Sequence, residues 1–210
     1  MTERLYTEFI RDHMDNASIH QQRPYTGVVR EHSRNEFIHQ QRPYTGVVRI
    51  YHDDEYKQIK EIYFMVAGKR ECQFRRYYAS GGLNAVGTYI NDSIEGEYTV
   101  YYEEGSLNAI YHYKDNRKHG LYIELYPHGS VLCIGNYRNG IEEGLCREYY
   151  QHGPLATKYR IINGLKNGRE ITYYQTGQVR SIGHYTNGNR TGEHIEYNID
   201  DTVLRKTNYG

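Results

Sequence analysis

The chain has 210 residues, with 26 Lys plus Arg against 26 Asp plus Glu, no Trp, 25 Tyr and 21 Gly. Most of its aromatic mass lies in a residue with a polar tip, which suits a thin pleated sheet and argues against a thick aliphatic core. The balanced charge argues against nucleic acid as a partner, because nucleic-acid binders usually carry a basic excess.

The first segment, residues 1–17, is predicted to be a helical cap. In "TERLYTEFIRDH", Leu5, Phe9 and Ile10 share one face of a helix, and Thr2 suits its N-cap. Such a helix would cover the first edge of a sheet. No segment has the apolar length of a signal peptide or a membrane span. We therefore expect an intracellular protein, in the cytoplasm, or in the host cytoplasm or virion if a virus encodes it.

The second segment, residues 18–45, contains a duplication. The stretch "IHQQRPYTGVVR" occurs at 19–30 and again, unchanged, at 38–49. Each copy has the pattern of strand, turn and strand, so the segment is predicted to form a shortened hairpin. A meander accepts two added strands and keeps its antiparallel order. We therefore interpret the repeat as a tandem duplication from Asp12 to Arg30; the alternative is a pair of binding sites.

The third segment, residues 46–210, is built from tandem repeats, which have a period of 24 residues from Cys72 onward. Each unit has two runs rich in Tyr, Ile and Val, separated by Gly or Asn-Gly turns, which is typical of a β-hairpin. A single hairpin is marginal in water, so each unit needs its neighbours. The sequence predicts an all-β fold: an elongated, curled, single-layer antiparallel β-meander of tandem β-hairpin repeats, with the short N-terminal helix capping one end.

The frame "G-x-x-x-x-Y-Y-x-x-G-x-L", followed by "Y-x-N-G", resembles the MORN-repeat family, and in particular its shorter variant class. The resemblance covers residues 46–210 and departs from the frame at Cys72, Asn91-Asp92 and Asp200-Asp201. It implies binding or scaffolding and no chemistry. Members of the family are associated with protein assembly and sometimes with phospholipid membranes. Some variant-class members resemble antitoxin or immunity partners, and others occur in large DNA viruses.

Adjacent tyrosines in each unit define two rows on opposite faces, because neighbouring residues in a strand point to opposite sides. The row that includes Tyr77 and Tyr101 shares its face with aliphatic residues such as Leu107 and is predicted to be core. Half-exposed tyrosines are effective interface anchors. The second row is therefore the candidate protein-binding face, with rigidification of the sheet as the alternative: Tyr78, Tyr102, Tyr126, Tyr150 and Tyr174.

One column of the repeat alternates between small and large residues: Gly87, Tyr111, Gly135, Tyr159 and Gly183. We interpret this alternation as packing, in which each large side chain fills space left by a glycine. A binding groove with a period of two repeats is the alternative.

No residues are assigned to catalysis, a cofactor or a metal. His128 and His152 share a column but would lie about 10 Å apart, too far to hold one ion. The carboxylate pairs, such as Glu142-Glu143, are predicted to solvate turns. Cys72, Cys133 and Cys146 are too few and scattered for a disulfide framework and are predicted to be reduced, small core residues.

These observations predict a non-enzymatic scaffold that binds a protein partner of unknown identity, without cofactor or nucleic acid. One alternative is a peripheral membrane or phospholipid-binding module, against which the neutral charge and the mixed-sign N-terminal segment argue. The other is an antitoxin- or immunity-type inhibitor of a partner protein.

Overall fold

The structure, a computed structural model, describes residues 28–30, 45–53, 55 and 57–210. In this part of the chain the residues form one sheet of 17 strands and no helix. The all-β prediction is thus confirmed. The predicted helix in residues 1–17, and most of the predicted hairpin in 18–45, lie outside the described residues.

The strands follow one another at short intervals. They are β1 (Val28–Arg30), β2 (Gly46–Tyr51), β3 (Ile59–Val66), β4 (Lys69–Tyr77), β5 (Leu83–Ile90), β6 (Ser93–Tyr101), β7 (Leu107–Lys114), β8 (Arg117–Lys118), β9 (Gly120–Leu125), β10 (Val131–Arg138), β11 (Ile141–Glu142), β12 (Gly144–Tyr149), β13 (Leu155–Ile162), β14 (Leu165–Tyr173), β15 (Val179–Thr186), β16 (Asn189–Tyr197) and β17 (Val203–Tyr209).

From β2 onward the strands form an antiparallel meander. The short strands β8 and β11 continue into β9 and β12, since each pair lies against the same neighbouring strand. At the other end β1 pairs with β2 in parallel, with Val28 opposite Val47 and Arg30 opposite Arg49. The two copies of "VVR" therefore lie side by side in register, which differs from the antiparallel order expected for these strands.

Tight two-residue turns join alternate pairs of strands. Both central residues have positive φ, 53° at Asn139 and 88° at Gly140, which is the geometry of a type I′ turn. The same geometry recurs where the sequence departs from Asn-Gly, as at Asn91-Asp92. These departures therefore leave the hairpins intact. The complete set is Ala67-Gly68, Asn91-Asp92, Asp115-Asn116, Asn139-Gly140, Asn163-Gly164 and Asn187-Gly188.

A longer loop joins the remaining pairs of strands. In the loop after β6, Gly105 N donates to Tyr102 O at 2.9 Å and Tyr102 N donates to Ser106 O at 2.8 Å. Gly105 has φ 96°, so the loop ends on a left-handed residue. Asp201 takes the place of this glycine in the last loop, with φ 63°. The two turn types alternate and hold the period of the repeat constant.

Buried side chains form clusters on both faces of the sheet. Tyr122 and Ile123 are neighbours in β9, so they point to opposite faces. Tyr122 packs with Cys133, Cys146, Tyr159 and Ile161, while Ile123 packs with Leu107, Ile110 and Leu125. A third cluster at the other end of the array contains Val48, Tyr63, Phe74 and Tyr89.

Cys72 is exposed, unlike the buried Cys133 and Cys146, so the prediction that all three cysteines are core residues is wrong for Cys72. The cause is its place in the repeat. Cys72 stands where later units have glycine, and its φ is 65°, close to the 75° of Gly96. A non-glycine residue in this conformation carries backbone strain.

We predict that Cys72→Gly stabilises the protein by about 1 kcal/mol, because glycine adopts this φ without strain. Equilibrium unfolding in urea measures the change. Cys72→Ala is the matched control, since it removes the thiol but keeps the Cβ atom that causes the strain. An equal gain in the alanine variant would show that the backbone conformation is not responsible.

Candidate protein-binding site

The five tyrosines of the candidate binding row form hydrogen bonds from each repeat to the next. Tyr102 Oη donates to Leu125 O at 2.8 Å, and Tyr126 Oη donates to Tyr149 O at 2.9 Å. The remaining hydroxyls make the same contact at 2.7 Å: Tyr78 with Tyr101 O, Tyr150 with Tyr173 O, and Tyr174 with Tyr197 O. We call Tyr78, Tyr102, Tyr126, Tyr150 and Tyr174 the tyrosine ladder.

Each tyrosine of the ladder is fixed by its backbone as well as by its hydroxyl. Tyr126 follows β9 directly, its N–H donates to Ser130 O at 2.8 Å, and its carbonyl accepts from Gly129 N at 2.8 Å. All five side chains are nevertheless only partly buried. Successive rings lie two strands apart, at about 10 Å. The ladder thus ties the repeats together and leaves part of every ring accessible.

The hydroxyl of Tyr102 is a donor because it stays protonated. Partial burial, with the nearby carboxylates of Glu104 and Glu124, raises the pKa of Tyr102 above its ordinary value. A protonated phenol can donate to a backbone carbonyl, whereas a phenolate cannot. The hydrogen bond from Tyr102 to Leu125 O is therefore present throughout the neutral pH range.

Loop residues beside the ladder connect neighbouring repeats. The imidazole of His128 stacks on Tyr126 with ring centroids 5.7 Å apart, and its Nε2 lies 2.8 Å from Gln151 O. Ser130 Oγ donates to the same carbonyl at 2.7 Å. His128 and His152 are both exposed, as predicted for turn residues. Within the described residues, no group of three or more His, Cys, Asp or Glu side chains could hold a metal ion.

The first tyrosine row shares its face with the aliphatic column, as predicted, but its tyrosines are only partly buried and not core: Tyr77, Tyr101, Tyr149 and Tyr173. Tyr101 packs against the buried cluster that contains Leu107 and Leu125, together with Val131 of the aliphatic column. The shared face of these two columns is thereby confirmed in this part of the sheet.

The alternation of glycine with larger residues is a packing feature. A Cβ atom at Gly135 would lie 2.6 Å from Cε1 of Tyr122, and one at Gly87 would lie 2.8 Å from Cε1 of Phe74. At Gly183 the imidazole of His194 occupies the same space. Each glycine therefore makes room for a ring from the strand beside it. The expectation that the alternating tyrosines fill this space is wrong, because the rings come from the column that contains Tyr122.

On the face of the sheet that carries Tyr122, lysines lie over the tyrosines that alternate with the glycines. Lys118 Nζ is 3.4 Å from the ring centroid of Tyr111, whose hydroxyl donates to Glu124 at 2.6 Å. Burial and this hydrogen bond raise the pKa of Tyr111. Burial also lowers the pKa of Lys118, although Glu124 and Glu142 oppose this effect. The ring of Tyr111 therefore contacts the ammonium group of Lys118, and its hydroxyl binds the carboxylate of Glu124, in partly buried surroundings.

The same arrangement recurs two repeats later. Lys166 Nζ is 4.0 Å from the ring centroid of Tyr159, whose hydroxyl donates to Glu148 at 2.7 Å, and Lys166 also pairs with Glu170. Sequence reasoning identified the alternating tyrosines but missed the lysines. The signal that could have found them is the shared two-repeat spacing of Lys118 and Lys166.

Glu142 differs from its predicted role. It accepts a hydrogen bond from Tyr122 Oη at 2.6 Å, so it helps to fix a core ring and does not only solvate a turn. Burial and this bond raise the pKa of Tyr122.

The fold and its repeated contacts define a protein of tandem β-hairpin repeats. Three segments match the family described as MORN repeat variant: residues 94–115, 118–139 and 166–187. The chain therefore contains MORN-variant repeats, as its sequence frame predicted.

Other comparisons add little to this conclusion. A search of curated proteins gives no match. A solved structure, "Crystal structure of GtfA/B complex bound to UDP and GlcNAc", is similar at 16% identity and a TM-score of 0.23, over 54% of this chain and 22% of that chain. No inference about fold or function follows from a similarity of this size. No helix among the described residues has the length and apolar character needed to cross a membrane.

We predict that Gly135→Ala destabilises the protein by about 1–3 kcal/mol, because the added methyl group displaces the ring of Tyr122. Urea unfolding of four proteins tests the cause: the native chain, Gly135→Ala, Tyr122→Leu and the double variant. The alanine should cost much less beside Leu, which leaves space for the methyl group. An equal cost in both backgrounds would assign the effect to the backbone and not to the ring.

Proposed function

We propose that this chain is a non-enzymatic repeat scaffold that binds a protein partner, and that the tyrosine ladder is its contact surface. The supporting observation is that five equivalent tyrosines, partly exposed, are each held by a hydrogen bond to the next repeat. A row of this length matches a protein surface better than a small ligand, since its rings recur every 10 Å or so.

Fixing the rings before binding favours affinity. A tyrosine that is mobile in the free protein loses conformational entropy when a partner immobilises it, at a cost of about 0.5–1.5 kcal/mol per side chain. The rings of Tyr102 and Tyr126 have already lost that freedom, because their hydroxyls bind Leu125 O and Tyr149 O. Rigid tyrosines that present large apolar area are typical anchors of protein interfaces.

The carboxylates support a binding role and not a catalytic one. Glu124, Glu142 and Glu148 each accept a short hydrogen bond from a tyrosine hydroxyl. An acid or base in catalysis must exchange a proton with a substrate, whereas these groups are engaged by phenols that hold core rings in place.

The rings and the hydroxyls of the ladder can be tested separately. We predict that replacing Tyr102, Tyr126 and Tyr150 by Ser lowers partner binding by a factor of at least about 10, because three anchors are lost. Replacing the same residues by Phe should lower stability by about 1 kcal/mol per hydroxyl and weaken binding less than Ser does, because the rings remain but are no longer fixed by their hydroxyls. Baits of the native chain and both variants would be compared in pull-downs from the native host, with mass spectrometry.

Circular dichroism and urea unfolding of both variants serve as controls for folding. Undiminished partner recovery by a folded Ser variant would show that the ladder is structural only. Failure of the Ser variant to fold would make the Phe variant and single Ser substitutions decisive, since the loss of binding should then follow the loss of each ring.

A flotation assay separates this proposal from a membrane-binding role. The native chain is expected to remain unbound to vesicles of phosphatidylcholine and phosphatidylserine, because its charges balance. Flotation with these vesicles that is lost at higher salt would instead favour a peripheral membrane module. A partner whose own activity is blocked by the chain would point to an inhibitor of the immunity type.

A further inference from the structure

Two buried cysteines face each other across neighbouring strands near the middle of the repeat array. Cys133 lies in β10 and Cys146 in β12, and their Sγ atoms are 3.4 Å apart. The side chains are 8% and 3% exposed, and both thiols are free. This pair stands apart from Cys72, which is exposed on β4.

The contact between Cys133 and Cys146 joins two different columns of the repeat. The cysteines therefore look scattered in the sequence. In the other units before the last one, the column of Cys133 holds small residues: Ala85, Ala109, Thr157 and Ser181. The column of Cys146 otherwise holds larger ones: Phe74, Tyr98, Tyr122, Glu170 and His194. Each of these two columns contains one cysteine, and the two thiols are in contact.

The surroundings distinguish the two thiols chemically. The hydrogen bond between the two thiols lowers the pKa of Cys146, whereas the same bond and burial raise the pKa of Cys133. Tyr122 Oη lies 3.6 Å from Cys133 Sγ and 3.9 Å from Cys146 Sγ. The site therefore places two thiols in direct contact, which is the arrangement that oxidation of a dithiol to a disulfide requires.

We propose that Cys133 and Cys146 form a reversible disulfide when the protein meets a peroxide. The sulfurs need to close from 3.4 Å to a bond length of about 2.05 Å. A narrow recess lined by Gly135, Glu142 and Leu145 borders Cys146 but has no room for a water-sized molecule, so a peroxide reaches the thiol when the strands open locally.

The reaction balances with hydrogen peroxide as the oxidant. The Cys146 thiolate attacks one peroxide oxygen, so that an S–O bond forms, the O–O bond breaks, and the released hydroxide takes up a proton to leave as water. The thiolate of Cys133, formed as its proton passes to the sulfenic oxygen, then attacks the sulfur of Cys146. The S–S bond forms, the S–O bond breaks and a second water leaves. The two thiols lose two electrons and hydrogen peroxide gains them.

The disulfide would join β10 to β12 across the turn at Asn139-Gly140 and close a short loop of chain. Because a cross-link restricts the unfolded chain, the oxidised protein should melt at a higher temperature, by roughly 5–10 °C for a loop of this length. Reduction by a dithiol would reverse the change, so the redox environment would set the stability of the central hairpin.

The test uses the full chain with Cys72→Gly, which removes the exposed thiol. After treatment with hydrogen peroxide, the protein should lose the mass of two hydrogen atoms, and unfolding in iodoacetamide should label no thiol where two were labelled before. Peptide mapping should locate a bond between Cys133 and Cys146. Dithiothreitol should restore both thiols and the original melting temperature.

A matched control carries Cys133→Ala in the same background. There Cys146 has no partner thiol, so peroxide treatment should give no cross-link within the chain and no rise in melting temperature. Peptide mapping of the native chain gives the same answer if either variant fails to fold. Two thiols that remain alkylatable after peroxide treatment, or a bond that joins separate chains, would overturn the proposal.

Discussion

Stability in this protein depends on contacts between neighbouring repeats, because a single hairpin buries too little surface to fold alone. The hydrogen bond from Tyr102 Oη to Leu125 O shows how direct this coupling is. Donor and acceptor belong to adjacent units, so any change in repeat length would separate them. The alternating turns prevent such a change, since each requires a fixed number of residues with positive φ. The ladder, the turns and the period therefore depend on one another.

The same period gives the two faces different character. The face of Ile123 and Leu125 is packed with aliphatic side chains and tyrosine rings. The face of Tyr122 combines rings with glycines, lysines and carboxylates. In every second repeat a glycine of the alternating column leaves room for a ring. In Tyr111 and Tyr159, which stand in that column in the repeats between, a lysine lies over the tyrosine ring. Tyrosine suits this face, since its ring fills apolar space and its hydroxyl satisfies a carboxylate. This explains how a chain without Trp and with only 4 Phe builds a stable sheet.

The turns, the repeat boundaries and the face of each tyrosine row could be predicted from sequence because each is a property of a single column. Asn139-Gly140 indicates its turn without reference to any distant residue, and Tyr101 and Leu107 share a face by simple alternation. Contacts between columns could not be predicted in this way. The approach of Cys133 to Cys146, and of Lys118 to Tyr111, depends on strand register and on bulges such as the one between Val131 and Cys133. A period tells which residues are equivalent but not which columns touch.

The column that begins with Phe74 shows how identical backbones support different chemistry along one array. Its members are aromatic in the first three regular units and change to Cys146, Glu170 and His194 in the last three. Glu170 stays buried because Lys166 pairs with it. Buried His194 keeps its place over Gly183, although its Nδ1 has no hydrogen-bond partner among the described residues. An unpaired buried polar atom costs about 1–3 kcal/mol, so His194 contributes less stability at this position than a ring without an unpaired polar atom would. The regular backbone thus allows the side chains of one column to vary. Cys146, one of the two cysteines in contact, lies where the aromatic half of that column meets the polar half.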